Sequence, residues 1–170
     1  MTPRRRWCVI GTALCALGIP VAEPADAVST PTANRWTARC WSVGVTTIAG
    51  GLRLLDDARV TAVGHSAPHC IGRVRGHDVT GAGELESNEV IEGSCRGGRG
   101  VADIRMTIPT SGGVQEVRAL VPFVYTGAVG VGHSTVLSEN LIVVLAAVEG
   151  DCVTAPATKL QYWDTFAINT

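Results

Sequence analysis

Apolar residues alternate with polar ones over two neighbouring stretches in the middle of the chain. Every second residue is apolar in Val101–Ile108, and the same alternation returns in Val117–Phe123. A period of two is the pattern of a strand with one buried face. Because Gly112-Gly113 stands between the two stretches, they predict a β-hairpin.

Further short segments, separated by glycine-rich turns, predict more strands. They are Trp36–Ile48, Arg59–Gly64, Cys70–Val74, Val79–Leu85, Val129–Leu137, Asn140–Val148 and Lys159–Ile168. In the last of them, Asp164 interrupts an otherwise apolar face. Leu52–Val63 has the spacing of a short helix, but Asp56-Asp57 favours a turn. Many short strands predict an all-β fold, either an antiparallel β-sandwich of the immunoglobulin-like kind or a barrel.

The first 27 residues have the order of a secretory signal peptide. Arginines at positions 4–6 precede an apolar run, Cys8–Ala22, and the small-x-small sequence Ala25-Asp26-Ala27. The run is shorter than the roughly 18 residues that a membrane-spanning helix needs. The sequence therefore predicts a signal peptide at 1–27, a flexible leader at 28–34 and a single β domain at 35–170. We expect this domain to be secreted, extracellular and without a membrane span.

Charge and composition narrow the choice of partners. The chain has 14 Lys and Arg against 15 Asp and Glu, with a net charge of −1. Such a balance gives no electrostatic footprint for nucleic acid or an anionic membrane. The glycine-rich loop Cys95–Gly100 lacks the lysine and Ser/Thr of a phosphate-binding loop. We expect no cofactor, and an extracellular protein or glycan as the partner.

Cysteine usage agrees with export. Cys8 and Cys15 fall within the predicted signal peptide. Four cysteines remain in the domain: Cys40, Cys70, Cys95 and Cys152. An even number in an exported chain predicts a disulfide framework. Three pairings are possible; we favour Cys40–Cys70 with Cys95–Cys152, although sequence alone leaves the connectivity open.

A metal site is the alternative use for this region. His65 and His69 precede Cys70, and His77 is the nearest further ligand. Zinc ligands usually come in close pairs such as CxxC, and the cysteines here are far apart. Gly64 and Pro68 also disfavour the helix that would bring the first two histidines onto one face. We therefore expect no metal, with His65, His69 and His77 as the candidates if one is bound.

Catalytic signatures are equally scarce. Gly132-His133-Ser134 lacks the second glycine of a nucleophile elbow. A cluster of carboxylates could act as general acid and base. Its members are Glu84, Glu86, Glu89 and Glu92. An outward strand face followed by a polar turn at Ser87-Asn88 favours solvated surface charge instead, so we expect no catalytic residue.

Three tryptophans, Trp36, Trp41 and Trp163, would form a carbohydrate platform if they were exposed on one face. Trp36 and Trp41 are five residues apart and so lie on opposite faces of a regular strand. At most one of these two is expected to join such a platform.

The stretch from Thr80 to Ile168 has a familiar order of turns and cysteines. It runs from Thr80–Gly83 through Ser94–Gly100 and the Gly112-Gly113 turn to Glu149–Pro156 ahead of the last strand. This order, over about half of the chain, resembles the small secreted β-rich proteins of actinobacteria. The resemblance implies a signal peptide, four cysteines and an immunoglobulin-like or related sandwich. It brings no functional residues.

Together these features predict a secreted, disulfide-stapled β domain that acts by binding and not by catalysis, through a surface or an exposed strand edge. Two alternatives remain. One is a small extracellular hydrolase that uses Glu84, Glu86 and Glu89, or His65 and His69, in a cleft. The other is a secreted protein that binds copper or zinc through its histidines.

Overall fold

The computed structural model describes residues 37–137 and 141–169, of which 141–144 by their backbone alone. The predicted signal peptide, the predicted leader and Trp36 lie outside the described residues.

Ten antiparallel strands make up the described part of the chain. They are β1 (Ala38–Leu52), β2 (Ala58–Ser66), β3 (His69–Val74), β4 (His77–Asp78), β5 (Glu84–Ser94), β6 (Gly97–Thr110), β7 (Gly113–Thr126), β8 (Val129–Gly132), β9 (Leu141–Glu149) and β10 (Ala157–Ile168). The antiparallel all-β prediction is confirmed. None of the described residues belongs to an apolar helix long enough to cross a lipid bilayer.

The sheet curls until its first and last strands meet. The neighbours follow in the order β1, β2, β5, β6, β7, β8, β9 and β10, and β10 pairs again with β1 from Ala38↔Ile168 to Leu52↔Ala157. Eight strands therefore form a ring. Of the two predicted architectures, the sandwich and the barrel, the ring corresponds to the barrel. The short strands β3 and β4 lie beside it, since β3 pairs with the start of β1 on the edge that β2 uses further along.

The central hairpin is confirmed, because β6 and β7 pair from Gly97↔Thr126 to the turn at Thr110↔Gly113. The predicted strand at Val79–Leu85 is wrong, because β5 begins at Glu84 and continues to Ser94. Ser87-Asn88, expected to be a turn, lies within that strand. The predicted strand at Val129–Leu137 is too long, since β8 ends at Gly132.

Inward-facing side chains form two hydrophobic cores at opposite ends of the ring. The lower core consists of Ala38, Cys40, Val74, Leu85, Ala102, Ile104, Met106, Ile108, Val117, Ala119, Val121, Leu137, Phe166 and Ile168. The upper core consists of Ile48, Leu52, Ala62, Ile91 and Tyr125. Between the two cores, several of the inward positions of β1, β2, β5 and β10 carry polar residues or glycine.

Two disulfides link the strands, between the same pairs that we favoured from the sequence. Cys40–Cys70 joins residues that are directly opposite in the β1–β3 ladder. Cys95–Cys152 joins the β5–β6 turn to the β9–β10 loop. Those two connections stand on opposite sides of the ring, so the second disulfide spans its upper mouth. The β1–β2 loop is tied to it, because the Leu54 amide donates to the Cys152 carbonyl at 2.9 Å.

Candidate binding site inside the ring

A cavity of about 410 Å³ lies inside the ring. Its wall is mainly apolar and is built by residues from seven of the eight ring strands and from the loops at the upper mouth. Cavities of roughly 300–1,000 Å³ are the usual size of small-molecule sites. Eight-stranded barrels have an interior that is either filled by side chains or just wide enough for one small ligand. Here a part of that interior is left open.

Polar side chains from three strands interrupt the apolar wall. On β1, β5 and β10, those that line the cavity are Thr46, Ser87, Glu89, Tyr162 and Asp164. Ser42 and Ser66 stand beside these five, and we call all seven the polar cluster. Tyr125 and Asp151 also line the cavity, but the Tyr125 hydroxyl donates to the Ser94 carbonyl and the Asp151 carboxylate accepts hydrogen bonds within the β9–β10 loop. Residues of neighbouring strands that share a register form rows across the sheet. One row joins Asp164 to Ser42, and the next joins Tyr162 through Gly44 to Ser66. The cluster is therefore contiguous although its members are far apart in sequence.

Two inward-facing glycines make room for the larger members of the cluster. A Cβ at Gly44 would overlap the ring and hydroxyl of Tyr162 and would stand 2.6 Å from the His65 carbonyl oxygen. A Cβ at Gly64 would overlap the Ser87 hydroxyl and stand 3.0 Å from that of Thr46. These positions accept no side chain without movement of their neighbours, so the sequence of the strands is adapted to hold the cluster.

Asp164 is buried to 7 % exposure on the inner face of β10. The Ser42 hydroxyl donates a hydrogen bond to its Oδ1. Burial raises the pKa of this carboxyl to about 6, and the hydrogen bonds from Ser42 and from backbone amides offset only part of the rise. Near neutral pH the group is ionised within a largely apolar wall.

Glu89 is the second carboxyl of the cluster, on β5. The Ser87 hydroxyl donates to its Oε1 at 2.7 Å. Burial raises its pKa, and that hydrogen bond lowers it by a smaller amount. The expectation of surface charge is therefore wrong for Glu89, although Glu84 and Glu86 do face solvent. Since Glu84 and Glu86 lie on the opposite face of β5 from Glu89, they do not form a shared carboxylate site with it.

Tyr162 lines the same cavity as the two carboxyls and is only 6 % exposed. Burial raises the pKa of its phenol to about 12, the nearby Ser66 hydroxyl offsets part of the rise, and the charges of Asp164 and Glu89 add to it. Ser66 already shares a hydrogen bond of 3.1 Å with Ser42, and it is not in hydrogen-bonding geometry with the phenol. Within the described residues, the Tyr162 hydroxyl is thus buried without a hydrogen-bond partner.

The three histidines lie on the outer side of the structure and are exposed. His65 projects from β2, His69 stacks on Trp41 with ring centroids 6.0 Å apart, and the His77 ring covers Gly112. In the described part of the chain, no three His, Cys, Asp or Glu side chains gather in a metal-binding arrangement. The structure therefore does not bring these candidates together.

The serine and glycine motifs of the sequence have structural roles, whereas two of the tryptophans are exposed. The Ser134 hydroxyl accepts the Leu137 amide at 2.9 Å and the Val136 amide at 3.2 Å, which is a local turn. The glycine-rich segment after Cys95 continues as the start of β6. Trp41 and Trp163 are 47 % and 42 % exposed at diagonal positions of the outer β1–β10 face.

Comparison of the chain with models of protein families, with curated proteins and with solved structures found no match. The cavity and the polar cluster are therefore the features of this protein that bear on its function.

Proposed function

We propose that this protein is a secreted carrier that binds one small, largely apolar molecule inside its ring of strands. The observation that carries the proposal is the cavity of about 410 Å³ with a mainly apolar wall and a few convergent polar groups. Apolar burial supplies affinity in such sites, and the polar groups orient the ligand. The two disulfides support an extracellular location, since such bonds persist in oxidising compartments.

Binding through an exposed strand edge is less well supported than binding inside the ring. Closure of a sheet removes the free edges of its strands, and β10 pairs with β1 along most of its length. The residue sets considered for a hydrolase are not assembled, because Glu84 and Glu86 face away from Glu89 and both His65 and His69 are on the outside. Binding without chemical conversion is thus the function that the geometry favours.

A neutral fluorescent dye, N-phenyl-1-naphthylamine, tests the proposal. We expect its fluorescence to rise and saturate on titration into the purified secreted protein. Ala102 lines the cavity on β6, so Ala102→Phe should occupy the space and weaken dye binding by about tenfold, or about 1.4 kcal/mol. Val101, the adjacent residue on the outer face of the same strand, provides the matched control, and Val101→Phe should leave the affinity unchanged.

Overpacking a filled core destabilises by about 1–3 kcal/mol, so thermal unfolding of both variants shows whether the space at Ala102 is open. A dye signal that does not saturate, or that responds equally to both substitutions, would contradict binding inside the ring.

A further inference from the structure

We propose that the molecule bound in the cavity carries a protonated primary amine, which Asp164, Glu89 and Tyr162 receive together. The ligand class is thus an apolar amine, with an alkyl or aryl body against the apolar wall and its ammonium group in the polar cluster. This inference depends on the proposed function, because it names the ligand of the same cavity.

Two buried carboxyls, those of Asp164 and Glu89, line the cavity. Within residues 37–137 and 141–169, no Arg, Lys or His side chain forms an ion pair with Asp164 or Glu89, and none lines the cavity. A buried charge is expensive unless it is paired and hydrogen-bonded. Two carboxyls that face one cavity without a cation therefore create a site where a positive ligand is favoured and an anionic one is repelled.

The hydrogen-bonding groups that line the cavity also favour an amine. The Ser42 hydroxyl and backbone amides donate to Asp164, and the Ser87 hydroxyl donates to Glu89. An ionised carboxylate has about four acceptor sites, so both groups keep lone pairs that are free to accept. The buried Tyr162 hydroxyl is unpartnered and lines the same cavity. Its oxygen is a third acceptor, and it interacts electrostatically with both carboxyls. An ammonium group has three N–H donors and no acceptor, which matches this set of acceptors.

A neutral alcohol fits the same place less well. It offers a single donor and no charge, so at least one carboxylate would remain without a counter-charge. A carboxylic acid ligand would add a like charge to the two already present, which disfavours its ionised form. The apolar wall of the cavity is equally suited to all three ligands, so the head group decides between them.

The affinity for an amine should also depend on pH. Asp164 shares the cavity with four other titratable groups: Tyr162 on its own strand, Glu89 on β5, Tyr125 on β7 and Asp151 in the β9–β10 loop. Tyr162 interacts electrostatically with Asp164. Ser42 and Ser66, from β1 and β2, are neutral. Only the ionised carboxyl pairs with a cation. With a pKa of about 6, Asp164 is mostly ionised at pH 7.5 and about one-tenth ionised at pH 5, so amine affinity should fall by about tenfold over that range.

Competition by three matched ligands against the neutral dye tests the inference. Decylamine, decanol and decanoate share one apolar body and differ in the head group. We expect decylamine to displace the dye at a concentration at least about tenfold lower than decanol, and decanoate to be the weakest. Asp164→Asn and Glu89→Gln should each reduce the preference for the amine, measured in each variant as the ratio of the decanol and decylamine concentrations that displace half of the dye. Asp103→Asn changes an outward-facing aspartate of β6 and should leave this ratio unchanged.

The outcomes distinguish the preference for an amine from the carrier function. Dye binding with equal displacement by decylamine and decanol, or an amine preference that persists in both carboxyl variants, would overturn the inference and leave the carrier function standing. Failure of the dye and all three ligands to bind would overturn the carrier function itself. If one variant does not fold, the other variant and the pH dependence of wild-type displacement still decide the question.

Discussion

Replacing Asp164 by asparagine should make the ligand-free protein more stable at neutral pH. The carboxyl is almost fully buried, and its pKa rises from 3.8 to about 6 on folding. The folded chain thus holds this proton more tightly than the unfolded chain does. The stability that this proton contributes is fully present below about pH 4 and is lost as pH rises through 6. A shift of about two pKa units corresponds to about 3 kcal/mol.

Asparagine has almost the same shape as aspartate and cannot ionise. Its side-chain oxygen can still accept the hydrogen bond that the Ser42 hydroxyl gives to Asp164. The pKa of about 6 already includes the effect of this hydrogen bond on the ionised form. The net gain for Asp164→Asn above pH 7 is therefore about 3 kcal/mol in the free energy of unfolding. Near pH 4 the wild-type carboxyl is protonated, and the gain should vanish.

Urea denaturation followed by tryptophan fluorescence at pH 4 and pH 7.5 measures this difference. Asp103→Asn, on the exposed face of β6, is the control and should change stability by less than about 0.5 kcal/mol at either pH. A loss of stability at pH 7.5, or an equal change at both pH values, would refute the conclusion that ionised Asp164 destabilises the folded protein. The same variant should lose its preference for amines, so a more stable protein with weaker amine binding is the combined expectation.

Two further perturbations test how the cavity is held. Removing the Cys95–Cys152 bridge by double substitution to serine should lower the free energy of unfolding by about 4 kcal/mol in the chain-entropy model, because the bridge closes a loop of 57 positions. Urea denaturation measures this loss, and a change below about 1 kcal/mol would contradict the expected stabilisation by the bridge. Gly44→Ala should destabilise by about 1–3 kcal/mol, because the added methyl group would overlap Tyr162. Gly81→Ala, where a Cβ has nothing closer than 3.8 Å, should stay within about 0.5 kcal/mol, and equal losses in the two glycine variants would exclude the steric explanation.

Most of the strands could be predicted from the sequence, including β1 and β10 of the site, whereas β5 and the pairing of the strands could not. The hairpin of β6 and β7 alternates regularly because its inner face enters the lower core. In β5 the inward positions include Ser87 and Glu89, which made this strand resemble a polar turn. Asp164 gave the one usable signal, a carboxylate on an otherwise apolar strand face. Its partner Ser42 could not be identified from the sequence, because 122 positions separate them and only the β1–β10 register brings them together.

The Cys95–Cys152 disulfide lies at the end of the ring that has the smaller hydrophobic core. At the lower end many apolar side chains from most of the strands fill the ring, whereas the upper core is a small set around Tyr125. The open cavity and the two buried carboxyls lie between the cores, and the upper core is the smaller one. The upper end therefore has less apolar burial, and hence less of the main force that stabilises folding. The Cys95–Cys152 bridge joins opposite sides of the ring at that end. It can therefore hold the mouth together where side-chain packing is sparse, without occupying the space that a ligand needs.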